Sequence, residues 1–141
     1  MNVFFGISSS KNLMNLKEGD KSFWCIYSGY RAQIEDVLLM YFTGVGIRQV
    51  YQLITVAKVA ERVECQTRGM KTVDTQLAVN LTRAVTVAQL KAHPVAKGIG
   101  PVRRNFQETV FRIRPEEWPT LLQLMVDNNP QLETLLCSFE T

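Results

Sequence analysis

A single histidine, His93, stands beside Pro94, and the three cysteines, Cys25, Cys65 and Cys137, are widely spaced. Transition-metal sites are built from clusters of such side chains, so the sequence offers a metal little to hold on to. A Ser-His-Asp or Cys-His nucleophile would have to use His93, whose place at a predicted helix end points to capping instead. The adjacent carboxylates Glu35-Asp36 and Glu116-Glu117 read as a turn and a helix first turn rather than an acid/base pair. The loop Gly98-Ile99-Gly100 lacks the third glycine and the preceding strand of a phosphate-cradling fingerprint. These absences predict a binding protein rather than an enzyme, with no catalytic residue, metal or cofactor.

What remains is chemistry of planar rings and charge. Trp24 lies in a β-like run, Ser22 to Tyr27, with Phe23 beside it and Tyr27 and Tyr30 close by. Strand alternation puts Phe23 and Trp24 on opposite faces. If Phe23 and Cys25 point inward, Trp24 faces the mouth of the sheet, where its ring stacks on a planar base; the competing reading is a core tryptophan. Between Arg83 and Arg114 there are seven basic residues, among them Arg103, Arg104, Arg112 and Arg114, against one acid, Glu108. That local excess suits a phosphate-attracting face or a merely solvated basic surface.

Those residues need a scaffold. The chain has 141 residues, 46% hydrophobic and 21% charged, with a net charge of +3. This length and composition fit one globular domain able to bury a core. No apolar run approaches membrane-spanning length, the first residues lack a basic segment typical of a signal peptide, and odd, distant cysteines suit reduced thiols. A cytoplasmic address is the expectation.

Asn2 to Ser8 is rich in strand formers, and Ser8, Ser9 and Ser10 are good N-caps for one or two helical turns from Lys11 to Leu16. Val37 to Phe42 is continuously apolar, as in a strand buried on both faces. Thr43 to Gly46 makes a hairpin loop into a strand from Ile47 to about Val59, whose alternation breaks near Gln49 to Tyr51; a bulge or bend explains this, and a partial helix stays open. Glu61 to Thr75 reads as an excursion, Ala78 to Val85 as a returning strand. Thr86-Val87-Ala88-Gln89 is a capping box opening a helix that Pro94 stops. Thr109 to Arg114 alternates as a last strand, and Pro115 opens a helix bearing Trp118, Leu121, Leu122 and Met125 on one face. The tail from Gln131 to Phe139 carries a stripe of Leu132, Leu135, Leu136 and Phe139.

This order of segments resembles the EVE and YTH-type domains of the PUA-like superfamily. The opening Phe4-Phe5-Gly6-Ile7-Ser8, a serine-led helix and Phe23-Trp24-Cys25-Ile26 look like the start of such a domain. Glu35-Asp36 through Phe42 is similar to its "GD-hydrophobic-Y" strand, with Glu35 where a glycine is usual. Val87 to Lys91, Arg103 to Gln107 and Glu116 to Leu122 look like its closing part. The resemblance implies an α+β fold, a PUA-like partly open mixed β-barrel with short flanking helices, spanning residues 1–130, with 131–141 as a C-terminal tail packed on it. It also implies recognition of a modified base, for example a methylated one, flipped from DNA or RNA into an aromatic pocket. By position Trp24 matches the stacking residue, Ser8 and Ser9 the polar wall, and Tyr27 and Tyr30 further ring walls. Arg103, Arg104 and Asn105 take a phosphate or base-edge role. Two other classes stay in view. A small nucleotide-processing enzyme would need Asp36 or Glu108 with Arg103 near the cleft, and a protein-interaction module would use the tail stripe. No membrane partner is expected.

Overall fold

The computed structural model describes residues 1–13, 15–56, 63–106 and 110–139. Parts of the sequence reading fall elsewhere: Met14 in the serine-led helix, residues 57–59 of the fourth strand, Glu61 at the start of the excursion, and Gln107, Glu108 and Thr109.

Six strands form one mixed sheet: β1 (Val3–Ser8), β2 (Lys21–Ile26), β3 (Val37–Phe42), β4 (Gly46–Val56), β5 (Lys71–Val85) and β6 (Val110–Ile113). Their spatial order is β2-β5-β4-β3-β1-β6, curled into a half-barrel. Among the described strand pairs only β1 and β3 run parallel. Five short helices accompany them: α1 (Val63–Thr67), α2 (Val87–Ala92), α3 (Gly100–Arg103), α4 (Trp118–Asn128) and α5 (Glu133–Cys137). An α+β architecture with short flanking helices is thus observed.

The continuously apolar β3 is buried at every position, because it is packed on both faces. Phe5, Leu39, Tyr41, Val50 and Val79 face a layer made by α2 to α5, where Leu90, Ile99, Val102, Trp118, Leu121 and Met125 complete one core. Phe4, Leu38, Met40, Phe42, Tyr51, Leu53 and Leu77 form a second core on the opposite, concave face. Alternation in β1 therefore sends Phe4 one way and Phe5 the other.

The irregularity read near Gln49 is a set of register shifts within one strand, not a partial helix. Arg48 is bulged between the pairs Met40–Gln49 and Tyr41–Ile47, and its guanidinium donates to the Asn80 side chain and the Leu81 carbonyl. On β5 the pairing passes from Val50–Val79 to Tyr51–Leu77, leaving Ala78 as a bulge. The extra residue flips the faces: Val73 and Leu77 point into the concave core, Val79 and Leu81 into the helix-covered one.

Two expectations need correction here. The returning strand starts at Lys71, not Ala78, and the excursion contains α1. Thr72 and Thr75 looked like loop residues, but they are buried in the strand, where β-branched side chains fit a pleated surface. The cysteines are not all reduced: Cys25 and Cys65 form a disulfide, while Cys137 is free. Folding brings β2 and α1 together across 40 residues of sequence, which spacing alone does not reveal. The pairing removes the cysteine argument for a reducing compartment. Among the described residues, no helix is long and apolar enough to cross a membrane.

Local signals set the other boundaries. Thr86 and Gln89 form the expected reciprocal capping box. His93 ends α2, and its Nδ1 accepts from the backbone N–H groups of Val95 and Ala96 at 3.1 and 3.2 Å. The serine-led helix is a single 3-10 turn, Ser10–Asn12, capped by Ser9. Glu35 adopts a φ of 75° just before the buried Asp36, a left-handed conformation that glycine takes without steric penalty. In the tail, Leu136 is fully buried and Leu132, Cys137 and Phe139 pack on the helix-side core, leaving Leu135 exposed.

Candidate functional site

The two outer strands of the sheet, β2 and β6, lie on opposite sides of one cleft of about 400 Å³. Its floor is the concave core, through Leu38 and Met40; Ile7 and Ser8 of β1 enter from one side, Ser22 to Cys25 of β2 from the other, and Val110 of β6 closes the gap. The curl of the sheet makes the cleft: strands at opposite ends of the spatial order become its walls.

Trp24 is the principal ring in that wall. Its orientation differs from the expectation. It points inward, with its ring 5.6 Å from Tyr51 and 6.4 Å from Phe42, both in edge-on geometry. Phe23 and Cys25 belong to neither core. Trp24 is thus packed on the concave core, and because the interior of a half-barrel is also the floor of its opening, the half-buried ring still lines the cleft. Its indole Nε1 is buried and has no hydrogen-bond partner among the described residues. An unmet buried donor costs about 1–3 kcal/mol.

The ring below it is held neutral. The Tyr51 hydroxyl donates to Gln49 Oε1 at 2.6 Å within the fully buried core. Burial pushes its phenol well above the ordinary tyrosine range.

Ser8 follows Phe4 and Gly6 on the concave side of β1, so alternation delivers it to the cleft. Its Oγ accepts from Asn12 Nδ2 at 2.9 Å, leaving a hydroxyl proton to donate and the Asn12 carbonyl oxygen to accept. Lys11 on the same turn, and Glu64 and Arg68 at α1, add charge to the lining. Gly6 gives Met40 its place on the floor: a Cβ there would meet the Met40 sulfur at 2.5 Å.

The remaining sequence-nominated residues are placed differently. Ser9 is exposed and spends its side chain on the Lys11 backbone N–H at 3.3 Å. Tyr27 is 55% exposed and packs edge-on against Tyr30, 5.3 Å between ring centres. Tyr30 packs behind the wall, 5.7 Å from Phe4, and its hydroxyl donates to the Val110 carbonyl at 3.3 Å. Arg103, Arg104 and Asn105 end α3 and do not line the cleft. Lys91 Nζ donates to Asn105 Oδ1 at 2.9 Å. The phosphate or base-edge role expected of Arg103, Arg104 and Asn105 therefore finds no place at this cleft, whose basic lining residues are Lys11 and Arg68. Charge density shows that a segment is basic, not which face of a sheet its helix covers.

Of the two carboxylates named for an enzyme, Asp36 does not line the cleft. Asp36 accepts from the backbone N–H of Asn2 and Gln33 at 2.9 and 2.8 Å, and from the Asn2 amide; it is a structural group at the base of β3. Glu108 lies outside the described residues.

Lys11, Asn12 and Arg68 escaped the sequence reading. Asn12 sits four residues after Ser8, a spacing that brings side chains together on any helical turn. Arg68 carries no such signal, since a fold-dependent bond places its segment.

No family model matches the chain, and no curated protein matches it. The fold itself recurs in solved structures. A protein from Pseudomonas putida superposes with a TM-score of 0.66 at 15% identity, covering 87% of this chain and 99% of the other. A hypothetical protein from Leishmania major gives 0.66 at 11%, covering 90% and 96%. One from Agrobacterium tumefaciens gives 0.66 at 14%, covering 92% and 94%. The half-barrel with its helix layer is thus similar to whole proteins of this size at identities that speak for fold alone.

Proposed function

We propose that this chain is an EVE-like module of the PUA-like kind: a non-catalytic reader that accepts a modified base, flipped from a DNA or RNA strand, in the cleft between β2 and β6. One observation carries the reading. Half-buried Trp24 stands in the cleft wall, its ring held edge-on by Tyr51 and Phe42, on a lining it shares with the hydroxyl and amide of Ser8 and Asn12. A planar heterocycle with acceptor and donor edges fits that set, and the volume falls in the range of small-molecule sites. Aromatic contact with a base is worth about 1–3 kcal/mol, comparable with the cost of unstacking it. Lys11 and Arg68 supply positive charge where the flanking phosphates of such a strand would pass.

The test is fluorescence anisotropy of short labelled DNA and RNA strands, with and without base methylation, on wild type and Trp24→Ala. Tighter binding of a modified strand, lost in the variant with its circular dichroism intact, is the expected result. Weak binding that ignores both the modification and Trp24 would reduce the reading to a basic surface.

A further inference from the structure

We propose that α1 is a phosphate clamp on this cleft, in which Arg68 contacts the strand and the Cys25–Cys65 disulfide holds Arg68 in place. The inference rests on the strand-binding reading above and adds to it a contact residue and a control. Five residues are too few for a helix to persist alone in water, and α1 has little packing to compensate. Val63 is 69% exposed, and Glu64 and Thr67 are also exposed. Cys65 is fully buried, and it is the residue bonded to β2.

That bond lands at the cleft. Cys25 is the neighbour of Trp24, and both line the opening. From Cys65 the chain turns at once: its carbonyl accepts from the N–H groups of Arg68 and Met70 at 3.2 and 2.8 Å. Glu64 and Arg68, four residues apart on either side of Cys65, are both brought into the lining. Lys11 contributes positive charge from the turn after β1. A guanidinium binds a phosphate through two parallel N–H donors, a directional contact that lysine does not reproduce. The disulfide thus fixes the position of a phosphate-binding group relative to the base-stacking ring.

A reducing dithiol would release the clamp. Two electrons and two protons pass from the dithiol to the Cys25–Cys65 bond, giving two thiols here and one disulfide in the reductant.

The experiment is the salt dependence of binding to the methylated single strand that wild type prefers. Each phosphate contact contributes roughly 0.7 to the slope of log affinity against log salt for single strands. Arg68→Gln in the oxidised protein should lower the slope by about that amount, with Trp24-dependent preference for the modification retained. Wild type reduced with a dithiol, and Cys65→Ser, should show the same loss, and Arg68→Gln should then add nothing further. A wild-type slope in Arg68→Gln would overturn the clamp. So would reduction that weakens binding while leaving the slope unchanged, since the bond would then act on stability alone. Arg68→Gln leaves the disulfide intact, so it decides the matter even if Cys65→Ser fails to fold. If wild type binds no strand at any salt, the strand-binding reading falls; if it binds with an Arg68-independent slope, only the clamp falls.

Discussion

Trp118 and Trp24 stand on opposite faces of one sheet, and the contrast separates scaffold from site. Trp118 is 3% exposed, and its Nε1 donates to the Phe139 carbonyl at 3.0 Å, tying the tail to α4. Nearby, fully buried Asn129 is as well satisfied: its amide donates to the carbonyls of Arg83 and Met125, and its Oδ1 accepts from the Arg83 N–H. Trp24 is only half-buried, packs edge-on against Tyr51 and Phe42, and has no partner for its N–H among the described residues. Burial already separates the two residues, and the accounting of hydrogen bonds separates them further: the helix-covered face answers its polar atoms from within, while the open face leaves one of its buried donors unanswered among the described residues.

The largest expected effect breaks the helix-covered face. Trp118→Ala should cost about 3–5 kcal/mol in urea unfolding, as large aromatic truncations in cores do. Trp24→Ala should cost clearly less from its half-buried position while abolishing strand preference. Equal losses would erase the contrast. Next comes the fastening of the open face: reducing the Cys25–Cys65 bond frees a 40-residue loop, which on chain-entropy grounds lowers stability by up to about 4 kcal/mol. Urea denaturation with and without a dithiol measures it.

The sharper test is a matched pair. Trp118→Phe loses a satisfied donor as well as core volume and should cost about 1 kcal/mol or more; Trp24→Phe loses volume but also sheds an unmet donor, so its cost should be clearly smaller. Trp24→Phe keeps an aromatic ring in the cleft wall, so strand preference should be weakened but not abolished as in Trp24→Ala. A stability loss matching that of Trp118→Phe would mean that the Trp24 N–H is already used. Smaller again is the strain before β3. Glu35→Gly relieves a left-handed residue at some entropic cost and should gain at most about 1 kcal/mol, read as a rise in Tm.

At neutral pH the smallest effect is that of Tyr51, beneath Trp24. Unfolded, its phenol titrates near 10; folded, burial holds the proton to higher pH. Above pH 10 the folded state therefore keeps a proton that the unfolded state has lost, and stability falls as pH rises. Tm between pH 8 and 11 should decline less in Tyr51→Phe. Identical curves would assign the decline to other groups.

Much of the scaffold was legible because its signals are local. The apolar run of β3, the capping box at Thr86 and the stripe from Trp118 to Met125 each depend on residues within a few positions of one another. The half of β5 before Ala78 was not, because buried threonines imitate loop composition and the Ala78 bulge shifts the alternation by one. Of the site, Trp24 was named for its ring in a β-like run and Ser8 only through the family resemblance; alternation separates the two faces of β2 but does not say which one turns inward. Arg68 could not be named, since its position depends on a cysteine pair brought together only by tertiary structure. The Arg103 cluster misled for a related reason: a count of charges has no direction, and α3 sits against the core formed by Ile99 and Val102.

The arrangement of β1 also sets a schedule. Its partners are β3 on one side and β6 on the other, with Val3 opposite Val37 and Ile113. As the chain leaves the ribosome, β3 is complete at Phe42, but the edge meant for β6 waits until Val110–Ile113 has been made. Val3-Phe4-Phe5 is then an apolar strand with unpaired backbone groups, the kind of edge that templates aggregation. Contacts this distant in sequence also form slowly. Synthesis that stalls before Val110 would leave that edge open, so the chain's exposure to misassembly during translation is written into its topology.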